Sequence, residues 1–175
     1  MQQLVRKSVL WQLVLAICLL TTSAGCKDDK VNPYDNFDAV AQAEKEDKAI
    51  KAYLEGFLNL TPADYTRTAS GLYYVVKTPG TGEKPVKGQQ VEMHYVGKFV
   101  SDGQKFDSSY DRAQTFKFTL GQGRVIKGWE EGVLLMSRGE KAQLIIPSQL
   151  GYGRYGYGAV PGNTPIMFDV ELIDF

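Results

Sequence analysis

The stretch Pro165-Ile166-Met167-Phe168-Asp169-Val170-Glu171-Leu172-Ile173 decides the fold class. Ile166, Phe168, Val170 and Leu172 occupy every second position, with Asp169 and Glu171 between them. A period of two is the mark of a half-buried β-strand, because successive side chains point to opposite faces. One face is expected in the core and the other in water. Working back toward the N-terminus, the same strand signal recurs at residues 72–77, 90–100, 115–120 and 140–146. Turn chemistry separates these runs: Pro79-Gly80, Gly82, Lys87-Gly88, Asp102-Gly103, Gly121 and Gly123. The one helical candidate among them, residues 127–136, is short. This order predicts an α+β fold, an antiparallel sheet half wrapped around one short helix.

Before Pro62 the period changes. Phe37, Val40, Ala41, Ile50, Tyr53, Leu54, Phe57 and Leu58 recur at spacings of three and four, which predicts an amphipathic helix over residues 37–60. Asn36 is the expected N-cap, Asp38 suits the positive end of the helix, and Pro62 follows its stop. At ~1.5 Å per residue the helix reaches about 30 Å. Its apolar face either docks on its own domain or pairs with another copy, so the chain is a monomer or a helix-mediated dimer. Residues 27–36 are polar and contain Pro33, the composition of a tether.

At the N-terminus, Arg6 and Lys7 precede an apolar run over 9–20 and then small residues over 22–25, the order of an export signal covering 1–25. The run is shorter than the ~20 apolar residues that span a bilayer. Ser23-Ala24-Gly25-Cys26 resembles the lipobox of bacterial lipoprotein precursors, although Ser23 stands where leucine is more usual. The resemblance implies acylation of Cys26, cleavage before it, a tether over 26–36, and anchoring at the outer membrane of a bacterial cell envelope, on the periplasmic face or the cell surface. Ordinary signal cleavage with an incidental Cys26 is the alternative. Cys18 and Cys26 are the only cysteines, so removal of 1–25 leaves one and no intramolecular disulfide can form. Loss of Arg6 and Lys7 leaves 18 basic residues against 20 acidic ones, a net charge of about −2. That balance lacks the basic stripe of a nucleic-acid-binding protein.

With 175 residues and 43% apolar composition, the chain suffices for one core. His94 is the sole histidine, which excludes a His-rich metal site and leaves it a structural residue of an alternating strand. Glycines abound over 151–162, but no Gly-Lys-Ser/Thr phosphate loop follows them. Glu130 and Glu131 are adjacent on the short helix, diverge around its axis, and read as surface charge. No metal and no cofactor are expected. What remains is a collection of aromatic and aliphatic residues on turns and strand ends, the composition of a pocket for an apolar ligand.

The residues that make up this collection resemble the FK506-binding-protein family of peptidyl-prolyl cis/trans isomerases over 64–175. The matching segments are Met93-His94-Tyr95-Val96-Gly97, Lys105-Phe106-Asp107-Ser108-Ser109, Thr115-Phe116-Lys117-Phe118, Arg124-Val125-Ile126-Lys127-Gly128-Trp129-Glu130-Glu131-Gly132, Gly151-Tyr152-Gly153 and Phe168-Asp169-Val170-Glu171-Leu172. Their order is as diagnostic as their content. The resemblance implies a strongly twisted half-barrel around the short helix, isomerisation of Xaa-Pro bonds in unfolded or exported polypeptides, and affinity for macrolides of the FK506/rapamycin class. It implies Trp129 as the floor under the proline ring, with Tyr95, Phe106, Phe116, Val125 and Phe168 as walls. The Ile126 N–H and the Tyr152 hydroxyl would hold substrate carbonyls, and Asp107 would stand at the mouth beside the Tyr95 hydroxyl as the one charged group. Val160-Pro161-Gly162 replaces the family's usual Ile-Pro-Pro run over the pocket, and the loop also carries Tyr155, Tyr157, Gly156 and Gly158, so it is expected to be more aromatic and more mobile. An FK506-binding-protein fold used only as a binding module, or as part of a surface complex, is the alternative function.

Overall fold

The computed structural model describes residues 37–175; the expected export signal 1–25, Cys26, the expected tether 26–36 and with it Asn36 lie outside the described residues. From the N-terminus the described residues form helix α1 (Ala39–Lys51), a π-helical turn (Ala52–Phe57) and then the strands. The five expected strands form as β2 (Tyr73–Thr78), β3 (Gln90–Phe99), β5 (Phe116–Thr119), β6 (Lys141–Ile146) and β7 (Ile166–Asp174). Two further strands carry no period of two in sequence: β1 (Thr66–Arg67) has only two residues, and β4 (Lys105–Ser108) has a single apolar one, Phe106. All pair antiparallel in the order β1-β2-β6-β7-β3-β4, with β5 also on β3.

The expected α+β architecture is the one observed. The inner face carries the main core, where Tyr74, Met93, Leu144, Ile146 and Leu172 close around helix α2 (Lys127–Gly132) and the 3-10 turn Val133–Leu135 that continues it. Helix and sheet approach closely because Gly128 and Gly132 face β6: a Cβ at either would lie 2.7 Å from Ile146 or 2.8 Å from Leu144 side-chain atoms. These two glycines set the height of Trp129 above the sheet.

The outer face departs from the expectation of water. Tyr73, Val75, Ile145 and Met167 are buried there beneath Ile50 and Leu54, so α1 docks on its own sheet. Polar groups persist on this face at buried Gln143, whose Nε2 donates to Asp169 Oδ1 at 2.9 Å, and toward the rim, where Lys98 pairs with Asp169 at 2.8 Å. The helix itself needs three corrections. Its N-cap is Asp38, whose Oδ1 accepts Val40 N at 2.9 Å and Ala41 N at 3.0 Å. Of the expected buried stripe, Val40 and Phe57 are 69% and 76% exposed, whereas Glu46 is only 3% exposed. The first half of α1 lies against a polar loop, not against the sheet, which is why a carboxylate is buried there. In the second half the π-helical turn, closed by Leu58 N to Tyr53 O at 3.0 Å, adds a residue to the turn and shifts the stripe's phase. Leu54 then stays in the core while Phe57 stacks outside on Tyr53.

Candidate active site

The site begins at a fork in the sheet. On the edge of β3 away from β7, Gln90–Met93 pairs with β5 and Val96–Lys98 pairs with β4. Between the two partners the backbone of Tyr95 is satisfied chiefly by Ser109: Ser109 N donates to Tyr95 O at 3.1 Å and Ser109 Oγ accepts Tyr95 N at 2.9 Å, with Ser108 Oγ also donating to Tyr95 O at 3.3 Å. A strand edge left unpaired in a core is costly, so Ser109 is what allows the sheet to split. Tyr95 points inward at the fork.

Opposite it, Trp129 lies in the first turn of α2. The rings of Tyr95, Phe116 and Phe168 stand at 84°, 83° and 88° to the indole plane, with centroids 5.2 Å, 5.7 Å and 5.2 Å away. Edge-to-face contacts of this kind place each ring's positive edge against a neighbour's negative face. The result is a box with the indole as one side, opening into a cavity of about 390 Å³. The buried indole N–H has no partner among the described residues, a cost that a plain core position would not carry.

The mouth is polar. The Tyr95 hydroxyl donates to Asp107 Oδ2 at 2.5 Å, Arg112 Nη1 pairs with Asp107 Oδ1 at 2.6 Å, and Arg112 Nη2 donates to the Tyr95 hydroxyl at 2.5 Å. Burial pushes the Asp107 carboxyl up, but the hydrogen bonds from Tyr95 and Arg112 and the guanidinium charge outweigh it, so Asp107 ionises below its ordinary range. Asp107 is therefore not the one charged group of the site. Arg112 neutralises it, and Arg124 also lines the cavity. Burial, with Asp107 and Tyr157 nearby, raises the Tyr152 hydroxyl, which stays protonated at neutral pH and available to donate. Neither that hydroxyl nor the Ile126 N–H finds an acceptor among the described residues. The wall that presents Val125 and Ile126 is held by Glu130, whose carboxylate accepts Gly121 N at 2.5 Å and Gly123 N at 2.8 Å. Glu130 is thus a loop clamp, not the surface charge expected of it.

The sequence matches FKBP-type peptidyl-prolyl cis-trans isomerase over residues 81–173. The chain belongs to the FKBP-type peptidyl-prolyl cis-trans isomerases. It is 53% identical over 91 residues to FK506-binding protein 2 of Emericella nidulans, covering 52% of this chain and 67% of that protein. It is 42% identical over 146 residues to FkpA of Aeromonas hydrophila, covering 83% of this chain and 53% of the relative. The crystal structure of FkpA from Escherichia coli superposes with a TM-score of 0.64 at 36% identity, over 77% of this chain and 63% of that one. The chain therefore spans only part of the length of the FkpA proteins it matches.

Of the ten pocket residues expected from sequence, this FKBP cavity is lined by eight: Tyr95, Asp107, Phe116, Val125, Ile126, Trp129, Tyr152 and Phe168. The other two support it from behind. Phe106 packs between Phe99 and Phe168, at 5.1 Å and 5.6 Å. Val160 is buried in the core, 5% exposed, instead of covering the pocket. It is drawn in by the shape of the loop, where Tyr157 and Val160 exchange backbone hydrogen bonds at 2.9 Å. Here Gly162 serves close approach more than freedom: a Cβ on it would meet Arg154 O at 2.0 Å. The loop is a bonded hairpin, not the loose segment its composition suggested. Tyr157, stacked on Tyr152 at 5.7 Å, joins the lining in Val160's stead. Arg112 carried no signal in sequence, since only the 3-10 turn Tyr110–Arg112 brings it back to Asp107. His94 lies outside the cavity, stacked on Tyr110 and bonded to Ser109 Oγ at 2.9 Å. A larger groove of about 670 Å³ on the outer face, between the π-helical turn and the hairpin of β3 and β4, shares no residue with the FKBP cavity.

Proposed function

We propose that this chain isomerises Xaa-Pro bonds of exported polypeptides as they fold, in the cavity bounded by Trp129. The aromatic box carries the reading: three rings stand perpendicular to one indole, and the Tyr152 hydroxyl and the Ile126 N–H beside it have no acceptor among the described residues. Rotation about an imide bond breaks resonance against a barrier of ~18–20 kcal/mol, and water favours the planar, dipolar ground state. A dry box that fits the twisted imide better than the planar one lowers that barrier by differential binding, with no proton transfer. A preference of about 4 kcal/mol gives roughly a thousandfold acceleration. Proline is the suitable substrate because its cis and trans forms lie within about 1 kcal/mol, so the barrier limits the exchange.

In this mechanism the proline ring rests on Trp129 between Tyr95, Phe116, Val125 and Phe168, while Phe106 and Val160 stiffen the walls from behind. Ile126 N–H and the Tyr152 hydroxyl donate to substrate carbonyls. Asp107, neutralised by Arg112, fixes the Tyr95 hydroxyl. An apolar well of this size also suits macrolides of the FK506/rapamycin class, and the name of the relative FK506-binding protein 2 supports that.

Cys26 is the proposed site of acylation, anchoring the isomerase to the outer membrane of a bacterial envelope through the tether that follows. The small residues before Cys26 and the polar run after it support this. The docking of Ile50 and Leu54 on the chain's own sheet favours a monomer over a helix-paired dimer. The deciding assay is isomerisation of a short Xaa-Pro peptide by protein lacking residues 1–26, with Trp129→Leu beside it. Loss of the flat indole removes aromatic contacts of about 0.5–1.5 kcal/mol each, so kcat/KM falls by about tenfold or more. A folded parent that gives no acceleration reduces the fold to a binding module. For the anchor, acyl labelling of the full chain is expected to vanish in Cys26→Ser.

A further inference from the structure

Helix α1 lies outside the matched residues 81–173, and it buries a carboxylate. Glu46 accepts three hydrogen bonds: from Ser148 N at 2.7 Å, from Ser148 Oγ at 2.6 Å, and from Gln42 Nε2, one turn earlier on the same helix, at 2.6 Å. Carboxylates are almost never this buried for packing alone, and Ile50 and Leu54 already supply the packing. The bonds continue into the pocket loop. Ser148 O accepts Gly151 N at 3.0 Å and Gly153 N at 2.7 Å, the two glycines flanking Tyr152. Gly153 O accepts Asn163 N at 2.9 Å, and Asn163 O accepts Gln42 Nε2 at 3.2 Å. Glu46, Ser148, Gly153, Asn163 and Gln42 thus close a ring of hydrogen bonds. One turn of α1 fastens both ends of the loop that carries Tyr152 and Tyr157.

We infer that Glu46 and Gln42 are positioning residues of the isomerase: they hold loop 148–163 in the shape that presents Tyr152 to the substrate. The inference rests on the reading of Tyr152 as a pocket donor. The loop needs fastening from outside, because Gly153, Gly156 and Gly158 all adopt positive φ and give the free segment wide conformational choice. Glu46 and Gln42 touch nothing in the cavity, so their effect runs through the fraction of molecules whose loop is in the competent shape. Apparent affinity falls by that fraction, whereas a molecule that has bound turns over as before.

The test is peptide isomerisation by the full-length chain and by Glu46→Ala, Gln42→Ala, Ser148→Ala and Glu46→Gln, with amide hydrogen exchange measured alongside. Val75→Ala is the control, since Val75 shares the cluster under α1 but no bond of the ring. Glu46→Ala is expected to raise KM by about tenfold with kcat held within about twofold, and Gln42→Ala and Ser148→Ala to raise it by about threefold. Exchange is expected to quicken over 148–163 and not in β3 or β6. Glu46→Gln, which keeps an acceptor for Ser148 N, is expected to recover most of the loss. An unchanged KM in folded Glu46→Ala overturns the inference, as does an equal rise in Val75→Ala. If Glu46→Ala does not fold, an unchanged KM in both Gln42→Ala and Ser148→Ala overturns it instead. Tyr152→Phe, run in parallel, separates the two readings: if it matches the parent, the pocket assignment fails; if it is impaired while Glu46→Ala is not, only the inference fails.

Discussion

Asp107 holds two side-chain hydrogen bonds, from Tyr95 and Arg112, at a half-exposed rim, and the balance of those bonds against burial sets its protonation. Its folded carboxyl ionises below the ordinary aspartate value of ~3.9. Its contribution to stability is therefore complete above that value and is lost as the pH falls through the lower folded one. Asp107→Asn is expected to flatten the acid limb of a curve of Tm against pH taken from about pH 6 down to 2; an unaltered limb means that solvent already screens the pair. Tyr152 offers the converse case. Its hydroxyl has no partner among the described residues, so Tyr152→Phe is expected to leave Tm unchanged. The same change removes the donor proposed for a substrate carbonyl, about 1 kcal/mol, and is expected to lower kcat/KM by about fivefold in the peptide assay. Trp129, Tyr95 and Phe168 are legible in sequence because their neighbours form long matching runs. Arg112 is not, because its role arises only when a 3-10 turn folds it back on Asp107.

Elements position these residues through a few clamps. The loop from β5 to α2 presents Ile126, and Glu130 secures it by accepting from two backbone amides. Glu130→Ala leaves both amides to solvent and is expected to cost about 1 kcal/mol, read as a shift in the urea midpoint, together with a higher KM. Glu130→Gln keeps part of both effects; a midpoint equal to the parent's in Glu130→Ala denies the clamp. Strands with alternating apolar residues were readable from their period, even β5 with its four residues, whereas β1 has only two residues and β4 a single apolar one, Phe106, and β4 forms one arm of the fork at Tyr95. The loop after Tyr152 read as mobile from its glycines. It is instead pinned by the exchange between Tyr157 and Val160 and by the close pass of Gly162 beneath Arg154, contacts between residues that composition cannot pair.

Over the whole molecule, the sheet is buried on both faces where α1 crosses it, so the helix is part of the folding unit. Leu54 is fully buried against the outer face, and Leu54→Ala is expected to cost about 2–5 kcal/mol, seen as one cooperative denaturant transition at a lower midpoint. A two-step transition, or an unmoved midpoint, would make α1 an appendage. The sequence by itself determined the α+β class, most of the strands, the family and eight of the ten residues that line the cavity, because each of these is written in local period or in contiguous motifs. Only the tertiary structure decided which face of α1 is buried, that Val160 turns into the core while Tyr157 takes its place at the pocket, and that Glu46 joins the helix to the loop of Tyr152. Those facts depend on contacts between residues as far apart as Glu46 and Ser148, and no local pattern encodes a bond across that distance.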